Sequence, residues 1–504
     1  MATFDAILVT DTPAYPSWNR GYGAHRLATH LRGHGYTVLV IDFSAALTLE
    51  VWEQIVNLAV GPNTQFVGFS TTWWRYRNMN AKTHSLNLAV NVRGAYGEEP
   101  SNIPTTLTHY AIVGQGHKIV DPVKRRNPKT KILLGGPKID WYLDFPADHF
   151  IAGLAEVEII DYMEQPKRIW NKLINHDTKA ESRDWGWLDS CTTYTEYDQI
   201  KSDELLTLEV TRGCRFKCTF CQFPLIGKKD LASYLKTKET LYNELLENYT
   251  KWGITRYFIA DDTFNDSTEK LYHVLDVVKR LPFKPKFRCY IRLDVIANNP
   301  EQAQLLLDIG MVSCFIGIES FKDRAARFAG KGMSVEKRKQ ALHQIKEVWK
   351  DEVYITAGYI VGLPWESYSE LRETANWFLQ PDCPIHTVYY YPLMIMPLGI
   401  LPNVPRSELD KDYEKYGYTI PDITKLPAVW YKNDGTDIPD ANRAIEITQE
   451  LKAEMDKKEK PIAAKAIAYI QENSIKDPQK EYFPNLINML SHNTEKKNYE
   501  QTSI

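Results

Sequence analysis

The chain is predicted to be α/β, with a doubly wound parallel-sheet domain first, a partial (β/α)6 barrel second and a mostly helical C-terminal region. Three observations carry this. Short apolar runs of strand length alternate with amphipathic helical stretches through residues 1–165 and again through 203–400. The runs are continuously apolar, as strands covered on both faces are. Polar residues or glycines follow five successive strands of the second block, where parallel barrels carry their chemistry.

The 504 residues are enough for two or three domains. The divisions expected are 1–165, a linker at 166–202, the barrel at 203–400 and an extension at 401–504. A hydrophobic content of 43% and charged content of 25% are ordinary for a globular protein, and the net charge of -3 gives no basic field for nucleic acid. Met1-Ala2-Thr3-Phe4-Asp5 meets an acid at once and reads as no signal peptide. No apolar run approaches membrane-spanning length. Seven cysteines suggest a reduced interior, not a disulfide framework.

In the first block, strands are expected at 4–10, 37–43, 65–70 and 131–134, with a last one at 150–153. Helices are expected at 21–34, 52–60 and, as one element, 107–126, and a polar insertion at 75–104. Gly21 and Gly23 with Asp42 do not form a dinucleotide fingerprint. Those glycines must follow the first strand directly, and Arg26 stands where the third would be. The stretch 170–200 reads as a connection.

The second block has candidate strands at 205–211, 255–260, 287–293, 312–318, 354–360 and 386–391. Helices fall at 238–251, 268–281, 300–309, 335–349 and 367–378. The six units are too few to close a barrel of eight. In the extension, 441–457 and 461–472 read as helices, and 492–504 as a frayed end.

Between the first strand and helix of the barrel stand Cys214, Cys218 and Cys221. Three thiolates in one loop can hold a soft metal centre. Structural zinc closes at four ligands, and the nearest downstream candidates, His273 and Cys289, are more than fifty residues away. Three ligands and one vacancy fit a [4Fe–4S] cluster with one iron left open. Cys289 and Cys314 fall within strands and read as small buried residues.

This spacing, with Phe220 before the last cysteine, resembles the cluster motif of the radical S-adenosylmethionine (SAM) enzymes. The resemblance implies a [4Fe–4S] cluster whose open iron is chelated by SAM, with reductive cleavage of SAM to a 5′-deoxyadenosyl radical. It also implies an electron donor such as flavodoxin or ferredoxin, and a cytoplasmic setting. The first block is similar to the Rossmann-like, B12-binding-type domain that precedes the cluster domain in the cobalamin-type subgroup. That likeness rests on Val67-Gly68-Phe69-Ser70, Leu134-Gly135-Gly136-Pro137 and Gly153-Leu154-Ala155-Glu156. It implies cobalamin as a further cofactor. Ser70, Thr71, Gly135 and Gly136 would face it from strand ends, where open sheets bind ligands. The Asp-x-His-x-x-Gly motif that supplies a lower axial histidine is absent. His25, His30 and His34, on the following helix, are expected to face solvent.

The resemblance also implies roles at the barrel rim. Asp261 and Asp262 lie where the second-strand motif meets the SAM amino group, although the usual Gly-Gly-Glu is absent. Arg292 would pair with the SAM carboxylate or, as readily, form a structural salt bridge. Glu319 and Ser320 would approach the ribose or carboxylate, and Gly358 and Gly362 would let adenine lie against backbone. With cobalamin, methyl transfer or radical rearrangement would follow on a substrate the sequence does not name. The alternative is an iron–sulfur or zinc-binding sensor without turnover, which would need the cysteines but not the rim.

Overall fold

The computed structural model describes residues 4–10, 19–72, 74, 106–136, 139, 142–153, 155–165, 167–175, 188–221, 234–397, 406–423, 429–457, 475 and 477–502. The expected insertion at 75–104 and helix at 461–472 lie outside them.

The first sheet is parallel, six-stranded and ordered β2-β1-β3-β4-β5-β6. Its strands are β1 (Ala6–Val9), β2 (Val38–Ile41), β3 (Phe66–Ser70), β4 (Lys131–Gly135), β5 (His149–Ala152) and β6 (Leu173–Asn175). β1 and β2 are buried at every position, and an apolar cluster covers each face of the sheet. The strand order reverses at β1, which pairs with both β2 and β3. Doubly wound sheets open their ligand crevice at such a reversal. β6 was not expected. Its three residues fall inside the stretch read as a connection, and they pair with β5 from Leu173 to Asn175.

Helix α1 (Tyr22–Gly33) follows β1 and α2 (Leu49–Ala59) follows β2. The single helix expected at 107–126 is two, α3 (Leu107–Ile112) and α4 (His117–Arg126). The break falls at Gly114-Gln115-Gly116, where Phe145 packs so closely that a Cβ on Gly116 would lie 2.6 Å from its ring. Helix α5 (Glu156–Glu164) follows β5.

The second sheet, also parallel, runs in sequence order from β7 to β12 and stays open. Its strands are β7 (Leu205–Leu208), β8 (Arg256–Ile259), β9 (Lys286–Ile291), β10 (Met311–Glu319), β11 (Tyr354–Val361) and β12 (Thr387–Pro392). The six-unit partial barrel is therefore present as expected. The outer layer includes α6 (Lys238–Trp252), α7 (Thr268–Arg280), α8 (Leu293–Asn298), α9 (Glu301–Ile309), α10 (Asp323–Phe328), α11 (Val335–Trp349) and α12 (Tyr368–Leu379). Thr237, Ser267, Ser334 and Ser367 cap four of these helices, each side chain accepting a first-turn N–H. Such a cap is worth about 1 kcal/mol. Along the strands, alternate residues such as Tyr257, Phe287 and Cys289 are buried in the core shared with the helices. Their neighbours Phe258, Arg288 and Tyr290 line the barrel interior.

The extension serves both sheets. After α13 (Glu408–Asp412), α14 (Ala441–Asp456) packs on the barrel edge through Ala444, Ile447 and Leu451. Past α15 (Pro478–Glu481), helix α16 (Phe483–Thr502) continues to Thr502, where a frayed end was expected. Its Phe483, Leu486 and Leu490, with Tyr482, join the apolar layer of the first sheet.

Candidate active site between the two sheets

The carboxyl ends of the two sheets border two adjoining cavities. One of about 440 Å³ lies over the first sheet, walled by Leu8, Phe66, Leu133 and Ile151, with Gly68, Gly135, Gly136 and Gly153 among its edges. The other, of about 680 Å³, descends into the barrel and is lined by Cys214, Cys218 and Cys221. Gly23, Ala24, Ser70, Thr72, Ala260 and Asp262 border both.

All three cysteines are free thiols. Arg292 Nη1 donates to Cys218 Sγ at 3.3 Å, and Cys214 Sγ lies 3.4 Å from Thr263 Oγ1. Burial pushes the Cys214 thiol up, and its hydrogen bonds to Thr263 and the Phe216 backbone act against this. Gly330 is in the left-handed region at φ +74, and a Cβ there would lie 3.3 Å from Cys218 Sγ. Glycine is therefore required twice, for the turn and for the approach of the sulfur. Among the described residues no three His, Cys, Asp or Glu side chains converge on a single metal ion. A cubane takes each thiolate on a separate iron, so it asks for three thiols around one cavity, which is the arrangement present.

The expected rim residues divide into two groups. Asp262 borders both cavities; burial first, then Asp261, pushes its carboxyl up to about 6. Glu319 lines the barrel cavity in a left-handed conformation at φ 62, rare for a residue with a side chain. It lies 3.5 Å from Lys331 Nζ. A Cβ on Gly317 would stand 2.3 Å from Glu319 Oε1, so this pair depends on that glycine.

Arg292 also lines the cavity, and four of its five N–H donors are committed. It pairs through two nitrogens with Asp294 at 3.0 and 2.7 Å, donates to the Gly330 carbonyl at 2.7 Å, and stacks on Phe216. It holds the cysteine loop, the salt-bridge reading of this residue, and the second N–H of Nη1 is its one donor without a contact among these.

Asp261 borders neither cavity. Its Oδ1 accepts from the Val210 and Thr211 backbones at 2.9 and 3.0 Å, and its Oδ2 from Thr211 Oγ1 and Lys270 Nζ. It ties the end of β8 to that of β7. Ser320 is buried and donates to Glu366 Oε1 at 2.6 Å. A Cβ on Gly358 would meet the Phe315 ring at 2.5 Å, and one on Gly362 the Trp430 ring at 2.8 Å. Those two glycines admit the protein's own aromatics, where adenine was expected. Neither they nor Ser320 line either of these two cavities.

In the first domain, Ser70, Gly135 and Gly136 border the smaller cavity. Thr71 is fully buried and donates from N and Oγ1 to the Gly135 carbonyl, at 2.8 and 3.0 Å. His25, expected to face solvent, is fully buried. Its Nε2 lies 2.9 Å from Asp42, whose other contacts include Arg20, itself held by Glu204. Helix α1 turns this charged cluster inward because β2 and the segment before β7 supply the opposite charges.

Sequence reasoning missed the residue that joins the halves. Arg212, two before Cys214, pairs with Glu156 at the start of α5 at 2.6 Å and with Glu209 at 2.7 Å. All three line the smaller cavity. The signal was present in Gly153-Leu154-Ala155-Glu156, whose final acid reaches across to the cysteine loop.

Residues 208–378, from the end of β7 to within α12, match the radical SAM superfamily; this part of the chain is a radical SAM domain, which implies a [4Fe–4S] cluster and SAM. An uncharacterized methyltransferase of Pyrococcus horikoshii is 25% identical over 187 residues, 37% of this chain and 39% of that protein, so the match spans well under half of the relative. The radical SAM methyltransferase TsrM of Kitasatospora setae, with cobalamin and a [4Fe–4S] cluster bound, is similar at a TM-score of 0.58 and 14% identity, over 82% of this chain and 79% of that one. With tryptophan and a SAM analogue bound, TsrM gives 0.62 at 12% identity, over 98% and 100% of the two chains. The cobalamin-dependent SAM radical enzyme OxsB, with aqua-cobalamin bound, gives 0.52 at 14% identity, over 82% and 56%. At such identities the likeness is one of fold, and against TsrM it takes in both sheets.

Proposed function

We propose that the protein is a radical SAM enzyme that holds a [4Fe–4S] cluster at Cys214, Cys218 and Cys221 and cobalamin in the cleft over the first sheet, and that it methylates a substrate seated in the barrel. The observation that carries this reading is the junction of the two cavities, where the three thiols line one and strand-end glycines edge the other. When bound, the cluster supplies an electron for SAM cleavage and the corrinoid a methyl carrier.

The chain's own residues position and shield. Arg292 fixes the Cys218 thiolate by a charge-assisted hydrogen bond. Arg212 holds the loop against the first domain. Asp262, between the cavities, can hold or release a proton near pH 6. The cleft is open at Gly23, where a Cβ would meet nothing within 4 Å. Among the described residues bordering the cleft there is no histidine. We assign the electron to a flavodoxin or ferredoxin and the setting to the reducing cytoplasm.

Anaerobic reconstitution tests the reading in two parts. Broad iron–sulfur absorbance and 5′-deoxyadenosine or S-adenosylhomocysteine on reduction are expected, and their absence overturns the enzyme. Corrinoid bands that co-elute with the protein are expected, and their absence overturns the cobalamin part alone.

A further inference from the structure

The barrel interior holds a cation that no described residue neutralises. Arg288 stands in the middle of β9, its side chain lining the 680 Å³ cavity. The other charged residues on that wall have partners. Arg292 pairs with Asp294, Glu319 with Lys331, and Arg20 with Asp42 and Glu204. Asp262 lies at the mouth, between the cavities. Among the described residues Arg288 has no hydrogen bond and no carboxylate within ion-pair distance. It is half-buried, and burial pulls its pKa below the ordinary value while Tyr290, Tyr389 and Tyr354 act against this. A guanidinium desolvated without a partner is costly to keep. Here its neighbours are tyrosines, and its free face is the cavity.

Above it runs an aromatic belt. Phe258, Tyr290 and Phe315, from β8, β9 and β10, meet edge to face at 5.5 and 5.4 Å, and Tyr389 of β12 stacks on Phe315 at 6.5 Å. Gly358 on β11 leaves the space that the Phe315 ring fills. Along β9, Tyr290 is two residues and Arg292 four residues nearer the mouth than Arg288, about 7 and 13 Å at strand rise. Arg292 is the residue that touches Cys218. The walls are therefore apolar, the floor cationic and the mouth at the cysteines.

We infer that the substrate carries an oxyanion, a carboxylate or phosphate, which Arg288 receives at the barrel floor, while a flat apolar body lies against Phe258, Tyr290 and Phe315 with its far end toward the cysteine loop. A guanidinium fork meets either anion through two parallel hydrogen bonds. This rests on the barrel being the substrate chamber of the proposed enzyme.

The test uses the reconstituted protein and 19F NMR of three probes: 4-fluorophenylacetate, 4-fluorophenyl phosphate and the neutral 4-fluorophenylacetamide. Wild type is expected to bind at least one anion at least tenfold more tightly than the amide, and the better of the two identifies the anion. Arg288→Met is expected to lose that preference while keeping amide binding, and Arg288→Lys to retain part of it. Equal binding of all three probes by wild type, or an unchanged anion preference in Arg288→Met, overturns the inference. Should Arg288→Met not fold, the wild-type preference alone decides. Iron content and SAM cleavage are measured in the same samples, so an inactive protein that still prefers the anion would fail the enzyme reading and leave the anion seat standing.

Discussion

At Arg292 one side chain joins a thiol, a carbonyl and a carboxylate, so its loss reaches the cysteine loop before anything else. Arg292→Met is expected to lower iron incorporation and to reduce SAM cleavage at least tenfold, by losing a charge-assisted bond of roughly 1.5–3 kcal/mol; iron assay and chromatography of 5′-deoxyadenosine check both. Cys218→Ala is expected to abolish cluster and cleavage together, with the far-ultraviolet dichroism unchanged. Glu366 gives a pH signature. Burial pushes its carboxyl up from 4.5 to about 7, with Ser320 and Tyr359 donating to it. The folded state thus binds a proton that the unfolded state has released between those values, and stability falls as pH rises through that window. Glu366→Gln is expected to remove this slope. Its advantage should be absent below pH 4.5 and reach about 3.5 kcal/mol above pH 7, from about 1.4 kcal/mol for each of about 2.5 units. Thermal melts from pH 4 to 8 measure it.

At the scale of elements, close backbone contact fixes what can be changed. Gly330→Ala would put a methyl against Cys218 in a left-handed turn. The expected result is a destabilisation of about 1–2 kcal/mol, with a larger fractional loss of iron, read by melting and iron assay on one sample. The strands and long helices were legible in the sequence because apolar period and caps are local. Helix α11 runs from Val335 to Trp349, as its spacing predicts. β6 was not legible, since three residues carry no period and only the edge of β5 makes them a strand. The cysteines and the rim were readable as positions along strands. Which rim residues face the cavity was not, because that depends on partners far away in sequence. Asp261 and Asp262 are adjacent, yet Lys270 and the β7 backbone claim the first and leave the second facing the cavities.

Across the whole molecule, the two sheets meet through charge as well as apolar packing. The Arg212 pairs with Glu156 and Glu209 are largely buried, and removing one partner of a buried pair costs about 3–5 kcal/mol. Arg212→Ala is expected to lower stability by that order. Combining it with Glu156→Gln should recover part of the loss, which a double-mutant cycle by denaturant melting would show.

The same residue has a further consequence. Arg212 lies two positions before Cys214 and ends on a helix of the other domain, so the loop is held from both sides. Any ligand of the upper cleft that tightens this contact raises affinity at the cysteines, and loading of the cysteines raises affinity in the cleft by the same factor. Linkage of that kind would show as cooperative filling of the two cavities.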